Sequence, residues 1–130
     1  MVEKDGSINF GTFRVPFHDA NILDAPLYAT GAPRFWKNFR LKEWQHFGIV
    51  TPAHYIGMVI FDAKFTGISF FYIYDRQENT RIEYSRQASG KSVRVAREVY
   101  HDRCLFEAGG YRLSFENNLN EGFHRITVDI

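Results

Sequence analysis

The chain has 130 residues and a formal net charge of +1, from 16 Lys and Arg against 15 Asp and Glu. That length fits one domain with a core of its own. The near-neutral balance removes the electrostatic drive that carries proteins to nucleic acid or to anionic membranes.

Aromatic residues make up 17% of the chain, with 13 Phe and 7 Tyr; such side chains favour strands, because flat rings pack well on a pleated surface. The single cysteine, Cys104, cannot form an internal disulfide, which suits a reducing compartment. Its alternating surroundings read as those of a small buried apolar residue. The N-terminal MVEKDGSINFG lacks the continuous apolar stretch of a secretory signal. The most apolar window, Tyr55 to Phe61, is far shorter than the ~18 residues of a membrane helix. A cytoplasmic location and no membrane span are therefore expected.

In chain order, residues 1–33 hold three of the four prolines, Pro16, Pro26 and Pro33, and sustain neither a strand nor a helix period. They read as an irregular arm, too apolar for a flexible linker, with a short strand expected at Ile8 to Val15 and no long helix. Residues 34–130 read as an antiparallel β domain. From Arg34 onward Phe35, Lys37, Phe39 and Leu41 alternate with Trp36, Asn38 and Arg40, which predicts extended chain running into a strand at Trp44 to Val50.

Thr51-Pro52-Ala53-His54 reads as a turn. Tyr55 to Phe61 is apolar on both faces, as in a covered central strand or a barrel wall. After a turn at Lys64 to Gly67, Ile68, Phe70, Tyr72 and Tyr74 alternate with Ser69, Phe71, Ile73 and Asp75. A polar hairpin loop at Arg76 to Asn79 leads to a strand at Thr80 to Arg86. Lys91 to Tyr100 has mixed signals. Gly109-Gly110 predicts a tight hairpin between strands at Arg103 to Ala108 and Tyr111 to Glu116, since both glycines accept positive φ. A last strand, Phe123 to Ile130, follows a polar turn. Seven or eight strands in up-and-down order predict an all-β barrel or half-barrel. The final strand runs out at Asp129-Ile130 with no polar tail, so the chain is expected to be a fragment of a longer protein.

Motifs that would carry chemistry are few. Gly90-Lys91-Ser92 lacks the upstream glycine of a phosphate loop, where Ser85 stands, and reads as a turn. No Gly-x-Ser-x-Gly elbow is present. The five histidines have no zinc-motif spacing, and one cysteine excludes a thiolate cluster; no metal or cofactor is implied. Six basic residues lie between Arg81 and Arg103, but GISFFYIY lacks the pattern of an RNA-recognition strand, so a solvated face is expected and no nucleic-acid partner. The aromatic residues Trp36, Trp44, Tyr55, Phe61, Phe70 and Tyr72 either fill the core or stand in a wall around one small apolar ligand, with Trp44, Tyr55, Phe61, Phe70 and Tyr72 as the candidate ligand contacts. Asp75, on the same face as Phe71 and Ile73, is the candidate for a carboxyl with a shifted pKa.

The segments PFHDANILDAPL, RFWKNFRLKEWQHFGIV, YIGMVIFDAKFTGISFFYIYDR and FENNLNEGFHRI resemble the N-terminal part of a bacterial family of uncharacterised proteins. That family is distantly related to the carotenoid hydratases (hydroxyneurosporene synthase) and to tocopherol cyclase. The resemblance implies a lipocalin-like antiparallel barrel or half-barrel, a second barrel domain of the same protein as its partner, and a lipid or isoprenoid as ligand. Relatives that act on alkenes need a placed acid and a dry aromatic pocket. The only constellation of that kind is Asp75 with Trp44 and Tyr72. The expectations are thus a lipocalin-like module binding a hydrophobic small molecule, an isoprenoid hydratase or cyclase, or a structural half-domain packed on a second barrel.

Overall fold

Alternating β-branched and aromatic residues, cut at short intervals by turn formers, commit about half of the chain to antiparallel ladders. The computed structural model describes residues 1–26 and 32–130. Four strands, β1 (Glu43–Val50), β2 (His54–Asp62), β3 (Thr66–Asp75) and β4 (Thr80–Ser89), form one sheet in sequence order. Another four, β5 (Val93–Arg94), β6 (Asp102–Ala108), β7 (Tyr111–Asn118) and β8 (Phe123–Asp129), form a second, also in order. The sheets are joined covalently through a 3-10 turn at Gly90–Ser92 and do not close on each other. The architecture is an all-β antiparallel half-barrel.

The turns follow their local chemistry. Thr51 donates its backbone N–H to the His54 carbonyl, and its hydroxyl accepts the His54 N–H. Gly109 and Gly110 both sit at positive φ, 58° and 82°, as a two-residue hairpin between β6 and β7 requires.

Period two decides which residues meet between the sheets. From the first sheet come Phe47, Ile56, Met58, Ile60, Phe71 and Ala88, and from the second Cys104, Phe106, Tyr111, Leu113 and Phe115. Met58, Ile60, Phe106, Tyr111, Leu113 and Phe115 are all at most 1% exposed. The space between the sheets is therefore filled by side chains at this level, not hollow. Two polar ties cross it. The Ser69 hydroxyl donates to the Val59 carbonyl and shares a 3.1 Å hydrogen bond with the Tyr111 hydroxyl. The amides of Gln45 and Asn117 pair with each other, at 2.8 and 3.2 Å.

Two local expectations are corrected. Arg34–Arg40 is a short helix, α1, not extended chain. Phe35 and Phe39 are four apart, a spacing that suits both a strand face and a helix face, and Trp36 stacks on Phe39 at 5.8 Å across one helical turn. Ile8 to Val15 is not a strand: only Ile8 pairs, in an isolated bridge with Val2. The described part of the arm is otherwise irregular, apart from a 3-10 turn at Ile22–Asp24; positions 27–31 of the expected arm lie outside the described residues. The arm is tied to the β5–β6 connection by the Tyr100 hydroxyl donating to the Pro16 carbonyl, by His18 stacked on Tyr100, and by the Arg97–Asp19 ion pair.

Candidate ligand-binding face

The side chains of the first sheet that point away from the second form an aromatic face. Cross-strand register lines them up in rows: Trp44, Phe61 and Ile68; His46, Val59 and Phe70; Gly48, Gly57 and Tyr72; Val50, Tyr55 and Tyr74. β4 adds Gln87, Ser85, Glu83 and Arg81 along the outer edge. All five aromatic residues singled out from the sequence, Trp44, Tyr55, Phe61, Phe70 and Tyr72, thus lie on this one face, outside the inter-sheet core.

Within the face they separate into two groups. Tyr55, Phe70 and Tyr72 adjoin one another, with ring centres 5.8 and 6.2 Å apart, and line a shallow open depression of about 370 Å³ with Tyr74, Arg81 and Glu83. Trp44 and Phe61 pair at 6.4 Å toward the other end, and Trp44 is 62% exposed. A glycine lies beneath the Tyr72 ring of this depression. A Cβ on Gly57 would come within 2.4 Å of the Tyr72 ring, so that ring lies directly over the backbone. At the rim, Arg81 stands 5.9 Å from the Tyr72 ring centre and pairs with Glu83 at 2.9 Å. Burial and the neighbouring Tyr55 hydroxyl push the Tyr72 phenol above its ordinary pKa, so it remains a neutral donor across the ordinary pH range. The face can make apolar and stacking contact with a flat or chain-like molecule, with an ion pair at one corner.

Asp75 stands apart from Trp44 and Tyr72. It belongs by register to the opposite face of the sheet, and it lies seven positions along β3 from Ile68, the residue level with Trp44. That is about 23 Å along an extended strand. The Asp75 carboxylate accepts the backbone N–H groups of Glu78 and Gln77 in the β3–β4 turn, which hold its pKa below the usual carboxylate value, with a smaller contribution from His54. Those contacts favour the ionised acceptor over a proton donor.

A second polar constellation lies between the sheets, where the arm passes over them. Asn117 is 1% exposed; its amide accepts from Gln45 and donates to the Gln45 side-chain oxygen and to the Glu98 carbonyl. His124 Nδ1 lies 3.2 Å from the same Asn117 oxygen. Cys104 donates to Gln45 and accepts the Ala96 N–H, and burial pushes its thiol up to about 11. Gln45 and Asn117 also floor an open recess of about 380 Å³ walled by Phe17, Ala20, Trp44 and Val99. Every buried polar atom of this network among the described residues has a partner, so the network is a structural tie. Nothing in the sequence singled out Gln45 or Asn117, because a pairing 72 positions apart leaves no local periodicity.

Fold and face together define an open antiparallel half-barrel with a packed interior and an aromatic outer surface. The chain belongs to the DUF2804 family, described as a domain of unknown function, whose family model matches residues 1–130. No curated protein and no solved structure matches it. Among the described residues no helix is long and apolar enough to cross a membrane.

Proposed function

We propose that this domain binds a hydrophobic small molecule of the lipid or isoprenoid kind on the outward aromatic face of β1–β3. The observation that carries the reading is the register that gathers Trp44, Tyr55, Phe61, Phe70, Tyr72 and Tyr74 on one face. These rings lie outside the packed inter-sheet core, so their contact area is spare. The resemblance to a family distantly related to the carotenoid hydratases favours an isoprenoid, since a planar conjugated chain matches a flat aromatic strip in shape and polarity. With the interior filled, the ligand lies on the sheet and not inside a barrel.

Titration of the full chain with all-trans-retinol tests this. A Trp36→Phe background leaves Trp44 as the sole tryptophan reporter. Saturable quenching is expected, and Phe70→Ala with Tyr72→Ala should weaken it at least ~10-fold, because each buried ring is worth ~1.5–3 kcal/mol. Failure to saturate, or equal affinity in the double variant, would remove the reading.

A further inference from the structure

The ten-residue strand β4 is the outer edge of the first sheet; among the described residues only β3 pairs with it, in an unbroken register from Thr80 to Ser89. Every residue from Thr80 to Gln87 is exposed. Alternate backbone N–H and C=O groups of an edge strand point away from its neighbour and are free to pair. Natural proteins blunt such edges with prolines, bulges, inward charges or brevity. β4 is long, has neither proline nor bulge, and carries one charge, Arg86, on its inward face. It also exposes apolar side chains beside its edge, with Ile82 at 59% and Tyr84 at 42%.

The charges along β4 select a partner. When two copies join edge to edge about a two-fold axis normal to the sheet, outward residues must meet outward residues. Each possible register is then named by the residue that meets its own copy. Centring on residue 81 sets Arg81 against the partner's Arg81, and centring on 83 sets Glu83 against the partner's Glu83. Centring on 84 leaves both charges opposite neutral residues and places Ile82 against the partner's Arg86. Centring on 82 joins Ile82 to the partner's Ile82, Thr80 to the partner's Tyr84, and Arg81 to the partner's Glu83, the last twice by symmetry. Arg81 and Glu83 already form a 2.9 Å pair within one chain. The two-fold therefore builds a square of alternating charge above the ladder while the two isoleucines cover each other below it.

We propose that β4 is the contact of a symmetric homodimer, in which two copies continue one sheet through antiparallel β4–β4 pairing centred on Ile82. The paired stretch, Thr80 to Tyr84, is short, so the dimer is a concentration-dependent one.

Sedimentation velocity on the full chain, together with directed cross-linking, tests the proposal. A reversible dimer is expected. Arg81→Glu should weaken it at least tenfold by setting like charges opposite each other, and combining Arg81→Glu with Glu83→Arg should restore it, since the swap recreates both cross-strand pairs. Under mild oxidation Ile82→Cys should give a covalent dimer, because residue 82 faces itself, whereas Tyr84→Cys should not. Buried Cys104 does not compete. A chain monomeric at all accessible concentrations would overturn the proposal, as would a dimer indifferent to Arg81→Glu or one cross-linked through Tyr84→Cys instead.

Discussion

Replacing Asn117 by alanine removes the amide that links β1, β7 and the Glu98 backbone. Asn117 is 1% exposed, and three of its hydrogen bonds point into the protein: 2.8 and 3.2 Å with Gln45 and 3.0 Å to the Glu98 carbonyl. A typical internal hydrogen bond is worth about 1 kcal/mol net, and a buried partner left unpaired costs more. Against that, Gln45 borders the open recess under the arm, where water can recover part of its bonding. The balance is about 2–3 kcal/mol of lost stability. In urea, at a slope of about 1.5 kcal/mol per M, the midpoint should fall by roughly 1.3–2 M. Gln45→Ala should cost less, because its amide is half-exposed, and the double variant should cost less than the sum, because one pairing is lost only once. A midpoint shift below about 0.3 M for Asn117→Ala, or strict additivity with Gln45→Ala, would refute the idea that this pair ties the sheets.

Cys104 is fully buried, with its thiol pushed up to about 11, so an aromatic disulfide reagent at pH 8 should label it only as fast as the protein opens; immediate labelling of the native protein would contradict that packing. Asp75, held below the usual carboxylate pKa by the turn N–H groups, stabilises the fold above its unfolded pKa of about 3.9 and loses that contribution as pH falls through the lower folded value. The stability difference between wild type and Asp75→Asn should therefore shrink as pH drops from 5 to 2 in thermal melts, and a difference that stays flat would remove the assignment.

The strands were largely legible because period two is written locally. In Tyr111 to Glu116 the residues turned into the core, Tyr111, Leu113 and Phe115, alternate with Arg112, Ser114 and Glu116, and the Gly109-Gly110 turn could hardly be anything else. The helix α1 was not legible as such. Phe35 and Phe39 satisfy both periods over so short a span, and the choice fell to Trp36 stacking on Phe39 and to the Pro33 that precedes the helix. Ile8 to Val15 shows the reverse case, an alternation with no strand beside it among the described residues to complete the ladder.

For the candidate face, the aromatic residues could be named from composition and alternation, but which way they pointed could not. A strand such as Tyr55 to Phe61, apolar on both sides, carries no mark of which side meets the second sheet. That is settled by partners far along the chain, Tyr111 for Ser69 and Asn117 for Gln45. Arg81 and Glu83 joined the face only through the β3–β4 register.

The strictly sequential order of both sheets bears on how the chain reaches this structure. Among the described residues every ladder except the isolated Val2–Ile8 bridge joins strands adjacent in sequence; all but β5–β6, which closes through a longer connection, are short hairpins with little entropy to overcome. Distant partners, 42 and 72 positions apart in the Ser69–Tyr111 and Gln45–Asn117 contacts, enter only when the two sheets dock. Topology thus splits assembly into fast local zipping and one slower docking step, and it defers the contacts of greatest sequence separation to that step.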